Sequence, residues 1–316
     1  PLADVLAAEG QVPPQVLAAA LARQFRAPLA NLASTPPDPA LIRALGAEFC
    51  LSEKIVPLRT SDGSFRIATA RPDRFDDLKR ALPPGAHHMQ IIARDAAVEA
   101  ILKTEEHHLT QLAEARTPAQ LSCRTFRPVG WGALAILTGL ALLAVLFPIH
   151  VLSVVLLWTG MVMLLQSVMK LAALIAAAKP LPPPRPQTGP RASRRLPTVT
   201  ILVALRHEPE VASRLVSWLS KLSYPAAGLD ILLVTEADDS ETRTAIAAAR
   251  PPGWMRQLTV PVGNIRTKPR ALNYALPLAR GEIVGIYDAE DAPDLDQIGK
   301  VAEAFASAPP QVACIQ

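Results

Sequence analysis

Two apolar runs separated by three residues constrain the fold of this chain more than any other feature. VGWGALAILTGLALLAVLF covers residues 129–147 without a charge, and VLSVVLLWTGMVMLLQSVM covers 151–169 after Pro148, Ile149 and His150. Each is 19 residues, about the length that crosses roughly 30 Å of hydrocarbon as a helix. The reading is a two-helix transmembrane hairpin over 129–178; a buried soluble hairpin is the alternative. A cleaved signal peptide is excluded, because residues 1–128 precede the first run. Composition agrees: 50% of residues are hydrophobic but only 4% aromatic, an Ala, Leu and Val excess that suits membrane helices better than a larger core.

Basic residues set the orientation. Arg124 and Arg127 precede the first run, and Lys170, Lys179, Arg185, Arg191, Arg194 and Arg195 follow the second, while the turn between them has none. The positive-inside rule then places both flanks in the cytoplasm, as in a multi-pass protein of a bacterial inner membrane. Trp131 suits an interfacial anchor, and Trp158 is expected to pack between helices. The following stretch, KPLPPPRPQTGPRASRRLP at 179–197, reads as a semi-rigid spacer whose arginines suit anionic headgroups. The net charge of +4 gives no argument for nucleic acid, and Cys50, Cys123 and Cys314 have neither metal-type spacing nor a disulfide pattern. Pro1 at the start and the apolar QVACIQ at the end lead us to expect a fragment.

The amino-terminal region alternates helix and strand signals. PLADVLAAEG and PPQVLAAALARQ read as helices, and KIVPLRTSDGSFRIATA as a hairpin around Ser61, Asp62 and Gly63. DRFDDLKRAL reads as an amphipathic helix, HHMQIIA as a strand and DAAVEAILKTEEHHLTQLAEA as one long helix. The expected domain is small and α+β.

After Thr198 the pattern becomes strictly alternating. TVTILVAL, LDILLVT, QLTVPV and GEIVGIYD are strand signals, with QVACIQ beginning another; EVASRLVSWLSKL, SETRTAIAAA, TKPRALNYALPLA and DLDQIGKVAEAFA are helix signals. Continuous apolar strands separated by helices imply a parallel sheet covered on both faces, and Ile283–Tyr287 reads as a buried strand of it. In such sheets ligands bind outside the carboxyl ends of the strands. Glu208 follows the first strand, Glu236, Asp238 and Asp239 the second, and Asp288, Glu290 and Asp291 the fourth. Acids so placed can hold a divalent cation against a diphosphate and accept hydrogen bonds from a nucleoside; a solvated acidic turn is the plain alternative. Lys268 and Arg270 open the third helix and could face phosphate.

Two resemblances follow from these residues. The spacing of Leu2, Leu6, Gly10, Leu17, Leu21 and Gln24, with PPDPALIRAL, IVPLR and IATARPDRFDDLKRAL, resembles the N-terminal domain of type II secretion and pilus ATPases. Some members bind cyclic di-GMP through an Arg-Leu-Gly opening; here those places hold Pro1, Leu2 and Ala3, so an adaptor role toward a protein partner is expected in preference to cyclic di-GMP. No G-x-x-x-x-G-K-[ST] loop occurs, and the ATPase activity is not carried over. Residues 197–316 resemble the first half of a family 2 glycosyltransferase of GT-A fold, through LPTVTILVALRHEPEV, DILLVTEADDSET, TKPRALNYAL and YDAED.

The resemblance implies transfer of a sugar from a nucleotide-sugar, expected to be UDP-linked, to a glycan or lipid acceptor, as in cell-surface polysaccharide synthesis. Glu208, Glu236, Asp238, Asp239, Lys268 and Asp288 would contact the nucleotide. Asp288, Glu290 and Asp291 would hold Mg2+ or Mn2+, Glu290 standing at the second Asp of the family's D-x-D. The family's catalytic base and its Gln-x-x-Arg-Trp motif would lie beyond Gln316. A non-catalytic membrane scaffold or cyclic di-GMP receptor is the competing reading. The expected divisions are 1–105 for the ATPase-like domain, 106–128 for a helix and linker, 129–178 for the membrane helices, 179–197 for the spacer and 198–316 for an incomplete GT-A domain.

Overall fold

A computed structural model describes residues 12–60, 63–82, 88–122, 130–177 and 195–316. The helix expected over 1–10, the hairpin tip at Ser61 and Asp62, Arg124, Arg127 and the spacer at 179–194 lie outside the described residues. The chain divides into two compact units. One comprises the described parts of Pro1–Thr117 and Arg195–Gln316, the other those of Pro118–Arg194.

In the first unit the amino-terminal module contains α1 (Pro14–Gln24), α2 (Pro39–Leu45), α3 (Ala47–Glu53), β1 (Ile55–Arg59), β2 (Phe65–Thr69), α4 (Phe75–Leu78), β3 (His88–Ile91), α5 (Arg94–Thr104) and α6 (Glu106–Ala115). β1 and β2 pair antiparallel with Val56 opposite Ala68, as the hairpin pattern requires, and β3 adds in parallel to β2. Two expectations change. DRFDDLKRAL forms a 3-10 turn at Pro72–Arg74 and only a single turn of α-helix after it. The long helix breaks at Glu105, which leaves helical geometry at φ −111° and ψ 22°. Its carboxylate turns inward and accepts from Arg43 Nε at 3.2 and 2.9 Å. Pairing this fully buried acid (0% side-chain exposure) outweighs helical continuity, because an unpaired buried charge costs several kcal/mol.

The carboxy-terminal module contains β4 (Val199–Leu205), β5 (Leu229–Glu236), β6 (Met255–Val260) and β7 (Ile283–Tyr287), in the order β6-β5-β4-β7 and parallel throughout. This is the parallel sheet that a GT-A-like domain requires. The strands of alternating α/β units need helical crossovers, and Pro209–Leu219, Ser240–Ala248, Lys268–Ala275 and Gln297–Ser307 supply helices here. β5 is buried at every residue. β7 is an edge strand instead of a buried one: Val284 and Ile286 face outward, Ile286 at 60% exposure. The expected QVACIQ strand is absent; those residues are exposed and join no ladder.

The two modules share a core. One apolar cluster joins Ile42, Leu51, Ile101 and Leu109 to Leu232, Val260, Ala271 and Leu278. A polar tie lies beside it. Glu114 of α6 accepts from the backbone N–H of Asn264 at 2.7 Å and of Ile265 at 3.2 Å, and Asn273 Nδ2 donates to the Ala113 carbonyl at 3.3 Å. The approach at Gly263 is so close that any side chain there would collide with Glu114 and Arg270.

The second unit contains two apolar helices, Trp131–Leu146 and Pro148–Ala177. The second, at 30 residues, is long and apolar enough to cross a membrane. The first, at 16 residues, reaches only about 24 Å, short of the roughly 30 Å expected of a span. Leu and Ile side chains are exposed along both, and Trp158 faces outward rather than between helices, at 63% exposure.

Candidate active site

The carboxyl ends of β4, β5 and β7 fall on one edge because the strands are adjacent and parallel. The loops that leave them hold the acids singled out from the sequence. After β4, His207 adopts left-handed backbone at φ +56°, unusual for a residue with a side chain. Two hydrogen bonds hold this turn: His207 N–H donates to Asp239 Oδ2 at 2.6 Å, and Glu208 N–H to Thr242 Oγ1 at 3.0 Å. The strained loop is thereby tied to the loop after β5.

Asp239 is the hub of that tie. It also caps the helix Ser240–Ala248 by accepting from Thr242 N–H at 3.1 Å. Burial alone would raise its carboxyl, but the hydrogen bonds from His207 and Thr242 outweigh it and hold the group below the ordinary value. Asp238 pairs with Arg266 at 2.8 Å. Glu236 turns inward to Arg270 at 2.8 Å, with both side chains nearly closed to solvent. Arg270 therefore does not face a phosphate, and its second nitrogen donates to the Pro261 carbonyl.

Lys268, the first residue of its helix, makes an ion pair with Asp288 after β7. Asp288 and Asp291 close a turn on each other: Asp288 N–H donates to Asp291 Oδ2 at 2.9 Å, and Asp291 N–H to the Asp288 carbonyl at 3.1 Å. Glu208 completes the group. Its Oε2 is buried without a hydrogen-bond partner. Burial raises its carboxyl above the ordinary value, Glu290 adds to this, and Lys268 opposes it. An ionised carboxylate in that position calls for a cation.

The structure thus brings Glu208, Lys268, Asp288 and Glu290 into one field, with Asp238 and Asp239 on the adjoining loop. Glu236 stands behind them in its pair with Arg270, and Asp291 serves the turn. Among the described residues no three acids or histidines already converge as a metal cage. The exposed carboxylate of Asp288, with Glu290 in the same field, nevertheless fits a hard divalent cation, which takes oxygen ligands and keeps several waters. His207 and Arg266 were missed from the sequence; the pair Arg206-His207 in the first loop was the available signal.

Two family models match the chain. Residues 25–110 match the MshEN domain. Residues 197–316 match the family described as glycosyltransferase like family 2. They form a family 2 glycosyltransferase domain. The order of the two domains is the one expected from the sequence. Relatives of the chain include beta-monoglucosyldiacylglycerol synthases. Those of Trichormus variabilis and of a Nostoc species are each 30% identical over 111 residues, 35% of this chain and 24% of theirs. That of a Synechocystis species is 31% identical over 123 residues, 38% of this chain and 25% of its own. The chain spans about a quarter of the length of these curated relatives. Among solved structures, the mannosyltransferase PcManGT from Pyrobaculum calidifontis in complex with GDP-Man and Mn2+ is 27% identical. The match has a TM-score of 0.35 and covers 47% of this chain and 42% of that one.

Proposed function

We propose that the chain belongs to a membrane-anchored glycosyltransferase that uses a UDP-sugar donor and transfers the sugar to a lipid or glycan acceptor in the cytoplasmic face of a bacterial inner membrane. The observation that carries this reading is the convergence of Glu208, Lys268 and Asp288 from three loops at the carboxyl edge of the sheet. The family of residues 197–316 supports the activity, and the names of the relatives favour a lipid acceptor.

Asp288, with Glu290 or Asp291, would hold Mg2+ or Mn2+. The ion, when bound, supplies Lewis acidity and a template for the departing nucleoside diphosphate. Lys268, released from Asp288, would donate to a phosphate oxygen. Glu208, Asp238 and Asp239 would face the nucleoside, and Glu236 would act from behind through Arg270, positioning the helix that carries Lys268. The amino-terminal module is read as an adaptor toward a protein partner, with cyclic di-GMP as the weaker ligand.

Calorimetric titration of the full chain in detergent tests the donor reading. UDP-glucose should bind in the presence of Mn2+ and lose its heat when the metal is chelated, with GDP-mannose binding more weakly. Equal binding with and without metal would remove the metal from the site, and tighter binding of GDP-mannose would reassign the nucleotide.

The proposed topology is the two-helix hairpin, in which the short helix at Trp131–Leu146 is also embedded. A reporter fused at His150 should lie outside the cytoplasm and one at Pro190 inside. Finding both on one side would mean that Pro148–Ala177 does not cross the membrane, and removes the hairpin.

A further inference from the structure

A second feature lies at the opposite edge of the parallel sheet. Its strands are five to eight residues long, so the two edges are separated by about 16–26 Å. There a cavity of about 500 Å³ is lined by both modules. The amino-terminal module contributes Lys54 after α3, Arg71 after β2 and Arg94 at the start of α5; the glycosyltransferase domain contributes Asp230 of β5, Arg256 of β6 and Arg280 before β7. Among the described residues of the lining, Asp230 is the acid that faces these cations.

Asp230 is already engaged. It accepts from Arg256 Nε at 3.0 Å and Nη2 at 2.7 Å, from Thr200 Oγ1 at 3.0 Å and from Arg280 N–H at 3.2 Å. The Arg280 guanidinium stays 3.9 Å away. The Lys54 ammonium donates to a neutral carbonyl, that of Ser52, at 3.3 Å. Arg71 Nε is buried without an acceptor. Glu53, next to Lys54 in sequence, favours its ammonium but is itself paired with Arg74 at 3.1 Å. Burial pushes Lys54 down to about 8, and Arg280, Arg71 and Arg256 push the same way. Burial and then Arg256 push Arg280 down to about 9, against the pull of Asp230 and Asp95. A purely structural ion network would balance its charges. This one crowds like charges at a solvent-connected wall, which costs stability until an anion lies between them.

We infer that this cavity binds a soluble phosphate-bearing molecule, at a site separate from the donor edge and shared by the two modules. The volume falls in the range of small-molecule sites, about 300–1,000 Å³, and exceeds what a lone phosphate fills. Guanidinium groups match phosphate oxygens in paired hydrogen bonds. A ligand held by Lys54 and Arg71 on one side and Arg280 on the other stabilises the docking of the modules by mass action.

The test uses the full chain in detergent, with a chelator present and inorganic pyrophosphate as the probe. Calorimetry should show saturable binding that weakens about tenfold in Arg71→Gln and in Arg280→Gln and stays unchanged in Asp288→Asn. Pyrophosphate should also raise the melting temperature of the parent protein but not of Arg71→Gln, a variant whose Nε gives up no hydrogen bond. Absence of saturable binding overturns the inference, as does an affinity in both arginine variants equal to that of the parent. Binding lost in Asp288→Asn but kept in Arg71→Gln places the anion at the donor edge and also overturns it.

Discussion

Replacing Asp288 with Asn should weaken metal-dependent UDP-sugar binding by about 100-fold or more, while Glu241→Gln on the neighbouring helix changes it less than about twofold. The magnitude is set at the upper end of the about 10- to 100-fold loss of metal affinity seen when an outer-shell partner is removed, because Asp288 would ligate the ion itself. Asn keeps the shape of Asp but not the charge, and a diphosphate cannot approach Glu208, Asp288 and Glu290 without a cation between them. Asp288 is 55% exposed, and its partner Lys268 can turn to solvent, so the melting temperature should move little. That separation of binding from stability is the useful readout. If Asp288→Asn binds UDP-sugar as tightly as the parent, with or without Mn2+, the acids form a solvated turn and the scaffold reading takes over.

The sheet was legible because its strands are continuous apolar runs with turns at regular intervals, and a parallel order places their carboxyl ends together without further information. Asp288, Glu208 and Lys268 could therefore be assigned to one edge before any geometry was known. What periodicity does not carry is partner choice among charges. Glu236 and Arg270 both read as ligand-facing, but they lie 34 residues apart and satisfy each other in the interior. Glu105 likewise sits in an unbroken helical pattern, yet pairs with Arg43 from 62 residues away. Edge position was also hidden: the sequence of β7 is as apolar as that of β4, and only the strand order shows that Val284 and Ile286 face outward.

The shared core of the two modules was invisible for a related reason. Leu109 and Ala113 on α6 satisfy a helical stripe whether they cover their own sheet or another. In the structure that stripe belongs to the same apolar cluster as Ala271 and Tyr274, on the helix that Lys268 opens. The amino-terminal module is thus in physical contact with the element that presents the candidate phosphate ligand. Glu114 strengthens the link, because its carboxylate holds the loop at Asn264 and Ile265 that leads into that helix. Burial opposes its ionisation, but the Ile265 and Asn264 hydrogen bonds prevail and hold it below the ordinary value.

Arg270→Met should be the most damaging single replacement in this region, costing about 3–5 kcal/mol, because it leaves Glu236 charged and buried without a partner. The pair is nearly closed to solvent, with 2% and 6% of the side chains exposed, so water cannot substitute for the lost guanidinium. The same change removes the donor to the Pro261 carbonyl and loosens the strand end from which Gly263 approaches Glu114. A domain of this size loses roughly 2–4 °C of melting temperature per kcal/mol, so the expected fall is about 6–20 °C. The double variant Glu236→Gln with Arg270→Met should recover most of it, since the buried charge is gone and Met fills the stem of the arginine. Thermal melts of the parent, the single and the double variant provide the check. A single variant within about 1 °C of the parent would mean that the pair contributes nothing net. A double variant as unstable as the single one would assign the loss to packing and to Pro261 instead of to the stranded Glu236 charge.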